Sequence, residues 1–171
     1  NGISGKHRFG VVVPTKKVGN QAVYLYAINI GGGGNVEIGH GKVHIAASPV
    51  GTVDNVTGEK EHIKVFGWAY DWDNINTSIK VHVYIGGPAG NERAEFHEIT
   101  ADASSPDLVN NGIMGKHRFA TNVPTSKSGK QEVYLYAINI GDGSNVEIGH
   151  KTVEILSINA LAKENKGTIS E

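Results

Sequence analysis

Residues 1–45 and 111–155 are two copies of one segment, aligned without a gap at an offset of 110. Asn1 matches Asn111, Ile45 matches Ile155, and thirteen of the 45 positions differ. Self-similarity at a fixed spacing is the signature of a repeat array. Residues 46–110 precede the second copy and have no counterpart before the first. The expected organisation is therefore the C-terminal half of one repeat over residues 1–46 and a complete repeat over 47–156. Residues 157–171 form a linker, and within it Gly167-Thr168-Ile169-Ser170 resembles the Gly51-Thr52-Val53-Asp54 that opens the complete repeat. On this reading the chain begins inside a repeat and is a slice of a longer tandem protein.

Within 47–156 the pattern is one of short alternating strands. Ile79–Ile85 is the cleanest: Ile79, Val81, Val83 and Ile85 share one face, and Lys80, His82 and Tyr84 the other. A period of two with one apolar face is a half-buried strand. His62–Tyr70 sets Ile63, Val65, Gly67 and Ala69 opposite Lys64, Phe66, Trp68 and Tyr70, with Trp68 expected in the core. Gln131–Ile140 is apolar on both faces and is expected to be an interior strand with Tyr134 and Tyr136 lining its outer side. Gly51–Val56, Glu95–Ala101, His117–Val123 and Val146–Ile155 complete seven strands. The stretches between them are rich in Gly, Pro, Asn, Asp and Ser, which supply positive φ, fixed φ or local hydrogen bonds. Ile158–Asn165 is a candidate single helical turn. Seven short strands with regular turn signals indicate an all-β fold, an antiparallel sandwich of immunoglobulin type.

Composition narrows the function classes. The net charge is −1 and the pI about 6.8, so no basic field directs the chain to nucleic acid. There is no cysteine, hence no disulfide framework and no Cys-based zinc site. No apolar run is long enough for membrane insertion as a helix. The sequence has no Gly-x-Ser-x-Gly elbow, no cysteine nucleophile and no His-Glu-x-x-His. The chain is thus expected to be non-catalytic.

An ordered set of motifs carries a resemblance. These are Gly51–Asp54 (GTVD), Gly67–Asp71 (GWAYD), Val81–Gly87 (VHVYIGG), Gly115–Phe119 (GKHRF) and Val133–Gly149 (VYLYAINIGDGSNVEIG). Two of them recur at Gly5–Phe9 and Val23–Gly39. The chain resembles an immunoglobulin-like tandem repeat of long secreted or wall-anchored proteins of Gram-positive gut bacteria. That resemblance implies an extracellular or cell-wall location and a spacer or accessory role beside catalytic or adhesive domains. Its partners would be neighbouring repeats of the same chain.

Two constellations stand out against the scaffold. Asp71-Trp72-Asp73-Asn74-Ile75-Asn76 alternates oxygen-bearing side chains, as a calcium loop does, with Asp71 and Asp73 as candidate ligands. The EF-hand pattern is not met, since the sixth position lacks Gly and the twelfth is His82; the competing reading is a loop held by Asx turns. No other cofactor is expected. Trp72 in the same polar loop, with Tyr70, Asn74 and Asn76, forms a candidate platform for a cell-surface glycan, because an aromatic face stacks on the apolar side of a sugar ring. The eight histidines are scattered, and two of them recur as pairs, His7 with His117 and His40 with His150. They read as hydrogen-bonded strand residues rather than zinc ligands. Finally, half a sandwich leaves apolar faces and strand edges open, so residues 1–46 are expected to be completed by the neighbouring unit, the tail from Ser157, a second chain in a strand-exchanged dimer, or further sequence.

Overall fold

The computed structural model describes residues 5–157, and the candidate turn at Ile158–Asn165 and the Gly167–Ser170 echo lie outside them. The chain divides into two units, Asn1–Ile45 and Ala46–Glu171. In the first, β1 (Gly19–Ala27) and β2 (Val36–Ile45) form an antiparallel hairpin, with Gly19 opposite Ile45 and a bulge after Leu25.

Among the described residues, the second unit is all-β apart from one short helix and one 3₁₀ turn. Its elements are β3 (Val50–Gly58), β4 (His62–Tyr70), β5 (Lys80–Ile85), β6 (Glu95–Thr100), β7 (Ala103–Ser104), α1 (Pro106–Asn110), β8 (Lys116–Pro124), β9 (Gly129–Ala137) and β10 (Val146–Ile155). They build two four-stranded antiparallel sheets, ordered β10-β9-β5-β6 and β3-β4-β8-β7. Alternation decides which residues meet between the sheets. Val81, Val83, Ile85, Val133, Leu135 and Ala137 come from one sheet, and Val56, Ile63, Val65, Ala69, Phe119 and Val123 from the other. They form one apolar core, the interior of a β-sandwich. The β9 strand is interior to its sheet, and its tyrosines are half-buried on the outer side.

Three details differ from the pattern-based expectation. Trp68 is not in this core. It is half-buried on the outer face of β4, against a second cluster of Tyr70, Leu108 and Ile113. That cluster exists because the SSPDLVNNG stretch is not a plain loop: Pro106 starts the five-residue helix α1, whose Leu108 is buried. A proline in the first turn has no amide to lose, which favours a start there. The third detail is β7, too short for any alternation to reveal.

The first and last strands of the unit run side by side in the same direction. Gly51 lies against Ile148, and Gly58 lies against Glu154, where a Cβ would overlap the carbonyl oxygen. A parallel bridge joins Lys60 to Leu156; Glu61 N–H donates to Leu156 O (3.0 Å) and Leu156 N–H to Glu59 O (3.0 Å). The chain therefore enters the unit at one end of the sandwich and leaves at the other, separated by about 27 Å at about 3.3 Å per strand residue.

Candidate functional site

The Asp71–Asn76 loop sits at the end where the chain enters the unit. Asp71 is fully buried. Its Oδ1 accepts from Asp73 N–H (2.9 Å), capping the 3₁₀ turn Trp72–Asn74 as an Asx turn does, and its Oδ2 accepts from Ile140 N–H (2.9 Å) in the loop after β9. Asp73 Oδ1 accepts from Ala47 N–H (3.0 Å), and Ser144 N–H donates to Ser48 Oγ (3.3 Å). Two carboxylates thus knit three separate stretches, 46–48, 71–76 and 139–145, through backbone amides. The Asx geometry is the competing reading of the calcium pattern. Among the described residues, no group of three or more His, Cys, Asp or Glu is placed to hold a metal ion.

Of the four residues read as a glycan platform, three are exposed together. Trp72 is 43% exposed, and Asn74 and Asn76 lie open on the same loop. Tyr70 is buried and has no free face. Its ring stacks on Trp68 (centroids 5.7 Å, 16°), meets Trp72 edge-on (5.3 Å, 85°) and tilts against His117 (5.7 Å, 59°). Burial pushes its phenol above the ordinary value. Tyr70 therefore supports Trp72 from beneath and cannot itself stack on a ligand.

A second aromatic surface lies on the outer face of the β10-β9-β5-β6 sheet. Cross-strand register lines up His150, Tyr134, Tyr84 and Phe96 in one rung, and Glu147, Tyr136, His82 and Glu98 in the next. Tyr134 stacks on His150 (5.0 Å, 27°), but Tyr84 and Tyr136 are perpendicular (5.7 Å, 87°), as are His82 and Phe96 (4.9 Å, 80°). Edge-to-face packing satisfies the rings against one another and leaves no flat shared platform. The outward residues of β5 and β9 were readable from alternation. Their alignment into rungs was not, because register is set between strands.

The histidines and acids pair along these faces. His150 Nδ1 meets Glu147 Oε1 (2.7 Å), and the first copy repeats this with His40 and Glu37 (2.6 Å). His117 is fully buried, with Nε2–H donating to Met114 O (2.7 Å). Gly115 makes that possible: its φ is +110°, and a Cβ there would press on the His117 ring. Glu95 works against burial, yet hydrogen bonds from Thr125 Oγ1 (2.8 Å), His97 (3.0 Å), and Ser126 N–H and Oγ hold its carboxyl below the usual range. Arg118 reaches Asp107 through two bonds (3.0 and 2.7 Å) and Asp54 through a third (2.8 Å), fastening α1 and β3 to β8. That pairing lowers Asp107 and raises Arg118 further.

No family model matches the chain, and no curated protein matches it.

Proposed function

We propose that the chain is part of a non-catalytic, immunoglobulin-like spacer in a large extracellular or wall-associated bacterial protein, where tandem units position a catalytic or adhesive domain. The observation that carries this reading is the parallel run of β3 beside β10, which sets the two ends of the sandwich unit at opposite poles. Units joined end to end through such poles add length along one axis. The polar groups support the same reading. Asp71 and Glu95 are tied up by neighbouring backbone and side chains, and the buried His117 ring is held through Nε2 on Met114 O.

A second reading, a carbohydrate-binding module, is favoured by one observation: Trp72, Asn74 and Asn76 are exposed side by side. Affinity electrophoresis through gels of cell-wall and plant polysaccharides separates the two. The spacer reading expects unretarded migration of both the native chain and its Trp72→Ala variant. Saturable retardation that Trp72→Ala abolishes would establish the binding module instead.

A further inference from the structure

The two copies share most of their sequence and differ in structure. Lys116–Pro124 is strand β8, paired along β4 with Ile63 opposite Val123 and Gly67 opposite Phe119. The matching residues 6–14 in the first copy, which begin with the same Lys-His-Arg-Phe, form no strand. The hairpins agree: β1 and β2 repeat the register of β9 and β10, down to the bulge. Their surroundings do not. Phe9 is 67% exposed against 2% for Phe119, and Leu25 38% against 0% for Leu135. Val13, Ile38 and Val43 are also exposed where Val123, Ile148 and Val153 are buried. A sheet face and an edge of this kind are an open site for pairing with further strands.

The second copy shows what covers that site. There β5 pairs with β9, with Val81, Val83 and Ile85 opposite Ala137, Leu135 and Val133. β4 supplies the partner edge for β8, and β3 lies against β10. Ala27, Leu25 and Val23 are identical to the residues that β5 contacts in this way, and Phe9 and Val13 to those that β4 meets. We propose that residues 5–45 are a docking surface for one kind of partner, a polypeptide segment carrying the β3–β6 pattern of residues 46–110. On binding, residues 6–14 convert from irregular chain to a strand along the partner's β4, and β1 gains a neighbour along its free edge. Exchange between two copies of this chain is not the favoured source. Each β3–β6 block there already holds its own 111–155 segment, so exchange frees as much surface as it covers.

The test extends the full chain with a second 46–110 block placed before Asn1, so that Asn110 joins Asn1 as it naturally joins Asn111. Amide hydrogen exchange over 6–14, 19–27 and 36–45 is expected to slow by at least about tenfold relative to the unextended chain. Exchange over 129–155 should be unchanged, and Leu25→Asp in the extended chain should abolish the gain. Should the extended chain aggregate, the separate 46–110 polypeptide added to the natural chain gives the same readout. Protection of 5–45 in either format supports the proposal. Unslowed exchange there, or protection that migrates from 129–155 to the added segment alone, overturns it.

Discussion

Asp71 shows at the scale of a single residue how the loop works. Its two oxygens receive amides from its own turn and from the 139–145 loop, inside the protein, where an unmet N–H costs about 1–3 kcal/mol. Asp71→Ala should therefore cost the sandwich unit about 2–4 kcal/mol, while Trp72→Ala, at an exposed position with an edge contact, should cost under about 1 kcal/mol. Urea unfolding followed by circular dichroism checks both, and equal costs would refute this division of roles. Sequence pattern located the loop but not its purpose. Alternating oxygens are common to a calcium loop and a string of Asx turns. The amides of Ala47 and Ile140 that these carboxylates meet come from distant parts of the chain, where no local pattern shows them. Glu95 makes the titration argument. Its folded carboxyl lies below the unfolded value near 4.3, so it binds fewer protons folded than unfolded in the window below that value. It contributes stability above pH about 4.3 that is lost as the pH falls through its folded value. Glu95→Gln should flatten the acid limb of a plot of thermal midpoint against pH; an unaltered slope would contradict the network drawn around Thr125 and Ser126.

Among the elements, the comparison of β1 with β9 separates what a strand carries in its sequence from what its neighbours supply. Leu135→Ala deletes a fully buried side chain and should destabilise the sandwich by about 2–5 kcal/mol. The same change at Leu25, exposed in this structure, should leave that transition unmoved. Calorimetry of the two variants tests the contrast. Seven of the eight strands described in the sandwich unit were legible from their sequence runs; β7 and α1 were not, since two and five residues are too few to show a period. Trp68 was misjudged for a related reason. An apolar residue on the outer face of β4 looks like core until α1 is known to cover it. The contact of β3 with β10 was invisible, being a pairing between the first and last strands of the unit. It makes its own prediction: Gly58→Ala, whose methyl would meet Glu154 O, should prise these strands apart and cost more than an alanine at exposed Glu92. Equal midpoints for the two variants would show that the strands can separate freely.

For the whole molecule, the duplication relates the two units. It predicted a complete sandwich over 47–156, and the motifs common to both copies now have physical roles. Gly115 with His117 shapes the start of β8. The Asn139–Asn145 pair closes the β9–β10 turn through Asn139 N–H to Asn145 Oδ1, as Asn29 and Asn35 close the first hairpin. What the duplication does not supply is a ligand, and the proposed role rests on geometry along the chain. The most direct measurement pulls the sandwich unit from residues 46 and 157 in a single-molecule force experiment. Load along β3 and β10 strains their contacts together rather than one at a time. A spacer loaded in this way is expected to give one cooperative rupture that releases roughly 350 Å of chain, at about 3.4 Å per freed residue less the folded length. Gradual extension at low force, with no discrete step, would contradict a spacer built to transmit tension between its poles.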